Sequence, residues 1–220
     1  MKIIQPSFKI EDPIGPEAGI ELLQRIERAG RTCYKSEDKI TSDSSARFIK
    51  NILSRGHESV LEHEKITVRI ICDRGVTHEI VRHRLASYSQ ESTRYCNYAN
   101  NKFGNEITVI DPSEAFDWIK NGSKECNRLW CIWEDSMKQA ERNYFELLEY
   151  GATPQEARSV LPNSLKTEIV MTANIREWRH FFKLRTAVSA HPQMRQITRP
   201  MLKEFRERFS ILFDDVGVLE

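Results

Sequence analysis

Along this chain the spacing of apolar residues changes several times, and each change marks an element. Met1 to Ile10 carries the pattern of a short strand, after which Pro13, Gly15 and Pro16 turn the chain into a helix that holds Ile20, Leu22, Leu23 and Ile26 and stops at Gly30. The polar stretch RTCYKSED is expected to be a loop. Ser44 and Ser45 can cap a second helix with Phe48, Ile49, Ile52 and Leu53 at helical spacing and Gly56 at its exit. In KITVRIIC, residues 65 to 72, Ile66, Val68, Ile70 and Cys72 alternate with Lys65, Thr67 and Arg69, which predicts a half-buried strand. Asp73-Arg74-Gly75 predicts a turn, and Val76, Ile80 and Val81 a short helix ending around Arg82-His83-Arg84. From Ser87 to Asn105 the periodicity lapses in a run rich in Ser, Tyr and Asn, which predicts a long functional loop before a strand in EITVID.

The pattern from Ser113 to Tyr150 is helical, predicting two helices split near Asn121-Gly122 with Trp118, Trp130, Trp133 and Phe145 in the core. Thr153-Pro154 caps a helix through Arg158, and Leu161-Pro162 ends it. TEIVMTAN predicts a strand leading into a helix with Trp178, Phe181, Phe182 and Leu184, and a last helix runs from near Pro192 to about Phe213. No repeat, low-complexity tract or linker divides the sequence, so the economical expectation is one α/β domain with a helical side.

Composition excludes several functions without changing that picture. A chain of 220 residues, 40% hydrophobic and 30% charged, is expected to be soluble and can bury roughly 70% of its unfolded surface. Its formal net charge of +1 gives no overall field to hold it on DNA or an anionic membrane, so any polyanion binding must be local. Cys33, Cys72, Cys96, Cys126 and Cys131 are odd in number and form no C-x-x-C, which favours reduced thiols in a cytoplasm-like compartment. MKIIQPSFKIEDP lacks the apolar core of a signal peptide, and no run approaches the length of a membrane span. A cytoplasmic location is expected.

Chemistry concentrates in RHRLASYSQESTRY, residues 82 to 95, which offers three arginines, His83, hydroxyls from Ser87, Ser89, Ser92 and Thr93, Tyr88, Tyr95 and the Gln90 amide. Arginines grip phosphate or carboxylate oxygens in a planar fork, and hydroxyls or backbone amides fill the remaining acceptor valences. A solvated basic loop is the plain alternative. In GHESVLEH the histidines His57 and His63 stand six apart rather than four, about 240° round a helix, so no metal site is expected; closure of a loop by polar residues is the competing reading. ARSVLP supplies Arg158. TANIREWRHFFKLRTAVSAH supplies Asn174, Arg176, His180, Arg185 and His191, with residues 176, 180 and 184 on one face of a helix. Arg176 and Arg179 could also be surface residues paired with Glu177, and His180 a satisfied core histidine. A G-x-G-x-x-G fingerprint is absent from the sequence, which gives no support to a Rossmann mode of nucleotide binding.

From roughly Gly30 to His191 the sequence resembles the flavin-dependent thymidylate synthases, on RHR followed after seven residues by Ser92 and on the GHE, ARSVLP, NIR and LR segments in that family's order. The resemblance implies a single synthase domain over residues 1–220, of α/β class and α+β type, with a mixed, largely antiparallel sheet flanked by helices and a helical side. It implies methylation of dUMP to dTMP with methylenetetrahydrofolate as one-carbon donor and NADPH as reductant through FAD. It places FAD at Ser59, Arg82, His83, Arg84, Gln90, Asn174, Arg176 and His180. It places dUMP at Glu79, Ile80, Val81, Arg82, Gln90, Glu91, Ser92, Thr93, Arg94, Arg158 and Arg185, and implies a homotetramer with sites shared between subunits.

The residue chemistry is compatible with those roles. C5 of uracil is a poor nucleophile, and a fixed guanidinium at Arg185 would stabilise the anion that activates it, so Arg185 is the expected catalytic residue. Cys96 is expected to be structural, and Ser92 to bind rather than attack. Two positions depart from the family's pattern: Glu79, where glutamine is frequent, brings a negative charge near a nucleotide site, and His180 stands where asparagine also occurs. A nucleic-acid-binding module that stacks bases on Tyr88, Tyr95 and Tyr98 is the rival of another class, and the near-zero net charge argues against it.

Overall fold

In a computed structural model of the chain, which describes residues 1–12, 16–116 and 127–217, the two period-two runs form nine-residue strands, β3 (Lys65–Asp73) and β6 (Lys166–Asn174). Ile66, Val68, Ile70 and Cys72 are buried along β3, and Thr167, Ile169, Met171 and Ala173 along β6. The other strands are β1 (Lys2–Ile4), β2 (Ser7–Ile10), β4 (Ala86–Gln90) and β5 (Thr108–Ile110). Helices are α1 (Pro16–Arg31), α2 (Ser44–Ser54), α3 (Arg74–Ile80), α4 (Arg128–Glu149), α5 (Pro154–Ala157), α6 (Ile175–Arg185) and α7 (Pro192–Phe213). Four strands hydrogen-bond in the order β2-β3-β6-β4, mostly antiparallel, while β1 and β5 pair in parallel with Lys2 opposite Thr108. The class is α+β. Among the described residues no helix is long and apolar enough to cross a membrane.

The residues gather into two compact units. Unit 1 holds Met1–Phe8, Ile70–Arg82 and Tyr88–Val170; unit 2 holds Lys9–Arg69, His83–Ser87 and the chain from Met171 onward. Unit 1 is centred on Tyr98, Ile107, Val109, Met137, Tyr144 and Leu165. Trp130 and Trp133 pack at 4.9 Å there, and the Trp133 indole donates to Ser164 Oγ at 3.2 Å. Phe145 packs on Tyr144, as expected of a core aromatic; Trp118, Cys126 and the split near Asn121-Gly122 lie outside the described residues. In unit 2, α6 and α7 bury Trp178, Phe181, Phe182, Phe205 and Phe213, and the Trp178 indole donates to the Ile66 carbonyl at 2.9 Å. Gly30 lies within α1, one residue before its end, rather than stopping it, and a Cβ there would meet the Phe48 ring at 2.6 Å, so the glycine serves the close approach of that ring. α2 is followed by Gly56 at φ +68°, in the left-handed region that glycine tolerates.

Several expectations are corrected. Met1 to Ile10 is two strands, because Pro6 has no N–H to continue a ladder and the chain changes sheets there. RTCYKSED is wound into two 3-10 turns, Thr32–Tyr34 and Glu37–Lys39. Ser44 and Ser45 lie inside α2, whose N-cap position is Asp43; Ser44 Oγ instead donates to the buried Glu27 at 2.7 Å. Arg74 and Gly75 are helical rather than a turn, since Asp73 ends β3 and caps α3 by accepting the Val76 N–H at 2.7 Å. The expected long loop opens with β4, so only its later part is irregular, and residues 113–116 form a turn rather than a helix.

Candidate functional site

Unit 2 builds one cluster on α6. Asn174 at the end of β6 accepts the Glu177 N–H at 2.8 Å, which starts the helix on the strand's last residue and sets the facing of everything after it. Arg176, His180 and Leu184 then lie exposed along one face, as their spacing predicts. Asn174, Arg176 and His180 line a cavity of about 420 Å³ together with Glu177, Arg179 and Lys183, and Leu85, just after Arg84, reaches the same cavity.

Glu177 and Arg179, for which a surface pairing is the plain alternative in sequence, are buried. Glu177 meets His83 Nδ1 at 2.8 Å, and the other ring nitrogen of His83 accepts from Arg185 Nε at 3.0 Å. Burial holds the His83 pKa below its usual value, aided by the Arg185 charge and opposed by Glu177. Arg179 donates to both carboxylate oxygens of Asp215 at 2.8 Å, to Glu58 at 3.2 Å and to the Leu212 carbonyl. That bidentate pair holds the Asp215 carboxyl below the usual carboxylate range. Arg176 instead makes a half-exposed pair with Glu62 at 2.6 Å. Ser59 is exposed on the 3-10 turn Glu58–His63 and lines a separate cavity of about 330 Å³ with Phe48, Arg55 and His57. Arg84 is exposed.

Unit 1 holds the other group. Glu79 and the buried Ile80 form the last turn of α3, followed by the exposed Val81 and Arg82. On β4, Tyr88 donates its hydroxyl to the Ile80 carbonyl at 2.9 Å, and Gln90 Nε2 donates to Thr77 and Thr167 hydroxyls at 3.1 and 3.2 Å. Glu91 is braced from two sides, by Lys166 at 2.6 Å and the Tyr98 hydroxyl at 3.0 Å. Just after it the chain turns: Ser92 Oγ accepts the Arg94 N–H at 3.3 Å, and the Ser92 carbonyl accepts from Tyr95 and Cys96. Arg158 donates to the buried Thr93 hydroxyl at 3.4 Å, which brings Ser92, Thr93, Arg94 and Arg158 into one basic corner. Arg185 belongs to unit 2.

Glu58, Glu177, Arg179 and Lys166 were given no site role from sequence, because each works through a partner far along the chain, and Tyr98, named only as a stacking residue of the rival reading, is buried and donates to Glu91. Cys33, Cys72, Cys96 and Cys131 are free thiols, and burial pushes the Cys72 thiol well above its usual pKa. The α6 cavity offers one receptor for an anionic group: among the described residues Arg176 is held by the half-exposed Glu62 carboxylate, a pair worth about 0–1 kcal/mol, so a phosphate can take its place. Arg179 also lines that cavity, and its buried Nε has no hydrogen-bond partner among the described residues.

Comparison with known proteins bears on this geometry. The profile of the Thy1 family, described as thymidylate synthase complementing protein, matches residues 21–209. A flavin-dependent thymidylate synthase of Pyrococcus abyssi is 36% identical over 175 residues, covering 79% of this chain and 68% of the relative. One from Pyrococcus furiosus is 34% identical over 83% of this chain and 71% of its own. One from Geobacter sulfurreducens is 33% identical over 92% of this chain and 82% of its own. The residues at the start of α6, the RHR triplet and the Ser92 turn all fall within the matched span, and the chain belongs to the Thy1 family of flavin-dependent thymidylate synthases.

Proposed function

We propose that residues 1–220 act as one synthase domain that methylates dUMP to dTMP, with methylenetetrahydrofolate as one-carbon donor and NADPH as reductant. The observation that carries this reading, beside family membership, is that three separated segments meet in unit 2: Glu58 from GHE, His83 from RHR, and Asn174 to Arg185 from NIR and LR. FAD, when bound, supplies the redox chemistry between NADPH and the one-carbon unit. In this reading Ser59, Arg82, Arg84, Gln90, Asn174, Arg176 and His180 form its site, and of these Asn174, Arg176 and His180 line the α6 cavity, with Arg176 as a phosphate receptor and Asn174 and His180 as hydrogen-bonding groups. His83, which the resemblance also places at FAD, contributes through its partners rather than its ring, because that ring is buried between Glu177 and Arg185.

For dUMP, Glu79 to Arg82 and Gln90 to Arg94 supply the walls of the site and Arg158 a second guanidinium. Lys166 and Tyr98 keep the Glu91 carboxylate engaged, which limits its repulsion of a nucleotide phosphate. Arg185 stabilises negative charge on uracil as the N3 proton is polarised, which raises electron density at C5. A cytoplasmic location accords with the free thiols. The direct test is dTMP formation from dUMP, methylenetetrahydrofolate and NADPH, with and without added FAD; absence of product under both conditions refutes the reading.

Two expectations accompany it. Purified protein should show flavin absorbance, or gain it on adding FAD, and release the flavin on denaturation; protein that stays colourless and shows no heat of binding in excess FAD would count against the site. The chain should also assemble as a homotetramer with FAD enclosed by more than one subunit. Light scattering with FAD present should then give about four times the 25.7 kDa chain mass, and a fully active monomer would refute shared sites.

A further inference from the structure

The imidazole of His83 is the middle of a three-member chain inside unit 2, between Glu177 at 2.8 Å and Arg185 Nε at 3.0 Å. The side chains of His83 and Glu177 are 3% and 7% exposed. A guanidinium offers only donors, so Nε2 must carry the lone pair, and Nδ1 must then carry the proton that the carboxylate accepts. A doubly protonated ring would set donor against donor at Arg185. The partners therefore fix one neutral tautomer.

The same cluster could be read as a metal site, since ligand atoms of His83, Glu177 and His180 lie within 4.8 Å of one another. The chain of bonds argues otherwise: with Nδ1 protonated, the one lone pair of the His83 ring is on Nε2, where it already accepts from the Arg185 guanidinium, and a metal ion there would face that cation.

Glu177 sits in the first turn of α6, where the helix dipole favours a carboxylate, and Arg185 in the last. Eight residues of helix separate them, about 12 Å of rise, so the imidazole ties one end of the helix to the other. The Nε–H of an arginine lies in the guanidinium plane. Holding it orients that plane and leaves Nη1 and Nη2 as the edge facing away from the imidazole.

We propose that Glu177 and His83 are positioning residues for Arg185: the carboxylate fixes the imidazole tautomer, and Nε2 holds the guanidinium so that its Nη1/Nη2 edge is set before dUMP arrives. This rests on the reading of Arg185 as the group that polarises uracil. Within the RHR triplet it separates the exposed Arg82 and Arg84, which are open to ligands, from the buried His83, which acts through Arg185.

Two amide variants divide the ring's functions. His83→Asn puts an amide nitrogen near the place of Nδ1 and keeps the donor to Glu177, but offers Arg185 nothing. His83→Gln reaches the place of Nε2 with its oxygen and restores the acceptor. The readout is stopped-flow reoxidation of reduced flavin by saturating dUMP and methylenetetrahydrofolate, with FAD affinity, flavin reduction by NADPH and Tm measured alongside. His83→Asn should reoxidise roughly ten- to a hundred-fold more slowly with FAD affinity and reduction near wild type, and His83→Gln should recover to within about five-fold. Nitrogen NMR of histidine-labelled wild type, free of ligands, should find Nδ1 protonated and Nε2 bare.

The opposite tautomer overturns the proposal, as do equal reoxidation rates in the two variants. So does a loss of FAD affinity in both with normal reoxidation once FAD saturates, which would make His83 a direct flavin contact. A wild type that forms no dTMP refutes the synthase reading and the proposal with it. An active wild type with failing variants' contrast refutes the proposal alone.

Discussion

Arg185→Lys should lower dTMP formation by roughly a hundred- to a thousand-fold while flavin binding and its reduction by NADPH survive. The substitution keeps the positive charge and removes the planar fork, so it is not conservative at a site that must match the flat edge of a pyrimidine. The structure sharpens the expectation. Lysine has a methylene where arginine has Nε, so the bond to His83 Nε2 at 3.0 Å is lost together with the orientation it imposes. One preorganised contact to charge developing in the transition state is worth roughly 3–4 kcal/mol, which is the scale of the predicted loss. Arg185 lies in the last turn of a helix whose core is held by Trp178, Phe181 and Phe182, so the variant should fold normally. Stopped-flow separates the half-reactions, first reduction by NADPH and then reoxidation by dUMP with methylenetetrahydrofolate. Reoxidation at the wild-type rate with saturating dUMP would remove Arg185 from activation and overturn the mechanism at its central residue.

Helix α6 shows how far sequence carried the fold and where it stopped. Its start was legible because Asn174 is a good cap, and Trp178, Phe181 and Phe182 recur at core spacing. Glu177 and Arg179 were not, because a charged residue at a core-facing position reads as surface until its partner is known. Those partners are remote in sequence: His83 is 94 residues from Glu177, Glu58 is 121 from Arg179, and Asp215 is 36 from it. Strand β4 was hidden for a related reason. Tyr88 and Gln90 face inward as an alternating strand requires, but they satisfy their polar ends on the Ile80 carbonyl and on Thr77 and Thr167, so hydrophobicity does not alternate.

The candidate site was legible as a list of segments rather than as a geometry. Spacing named the RHR triplet, the Ser92 turn and the NIR segment, and resemblance supplied their order. That His83 is sealed between an acid and a base, while Arg176 stays reachable, depends on burial. Burial is set by which elements pack together, and no local pattern around residue 83 encodes it.

Arg94→Ala should weaken dUMP by roughly ten- to a hundred-fold and leave FAD nearly unchanged, because losing a charged hydrogen-bond partner costs on the order of 1.5–3 kcal/mol. The turn that presents Arg94 is held by its backbone: the Arg94 N–H donates to Ser92 Oγ at 3.3 Å, a bond that alanine keeps. The exposed guanidinium lies 5.4 Å from the centre of the Tyr95 ring, a contact worth about 0.5–1 kcal/mol at such a site, so its removal should barely move Tm. Nearby, Arg158 and Thr93 remain bonded at 3.4 Å, leaving one phosphate receptor of the corner in place. A contact of this kind holds ground state and transition state alike, so KM for dUMP should rise with little change in kcat. Titration of dUMP and FAD against the variant, with steady-state rates at saturating dUMP, measures all three quantities. Equal loss of both ligands in a normally folded protein would reassign Arg94 to the flavin or to a subunit interface, and a fall in kcat at unchanged KM would place it in the chemical step.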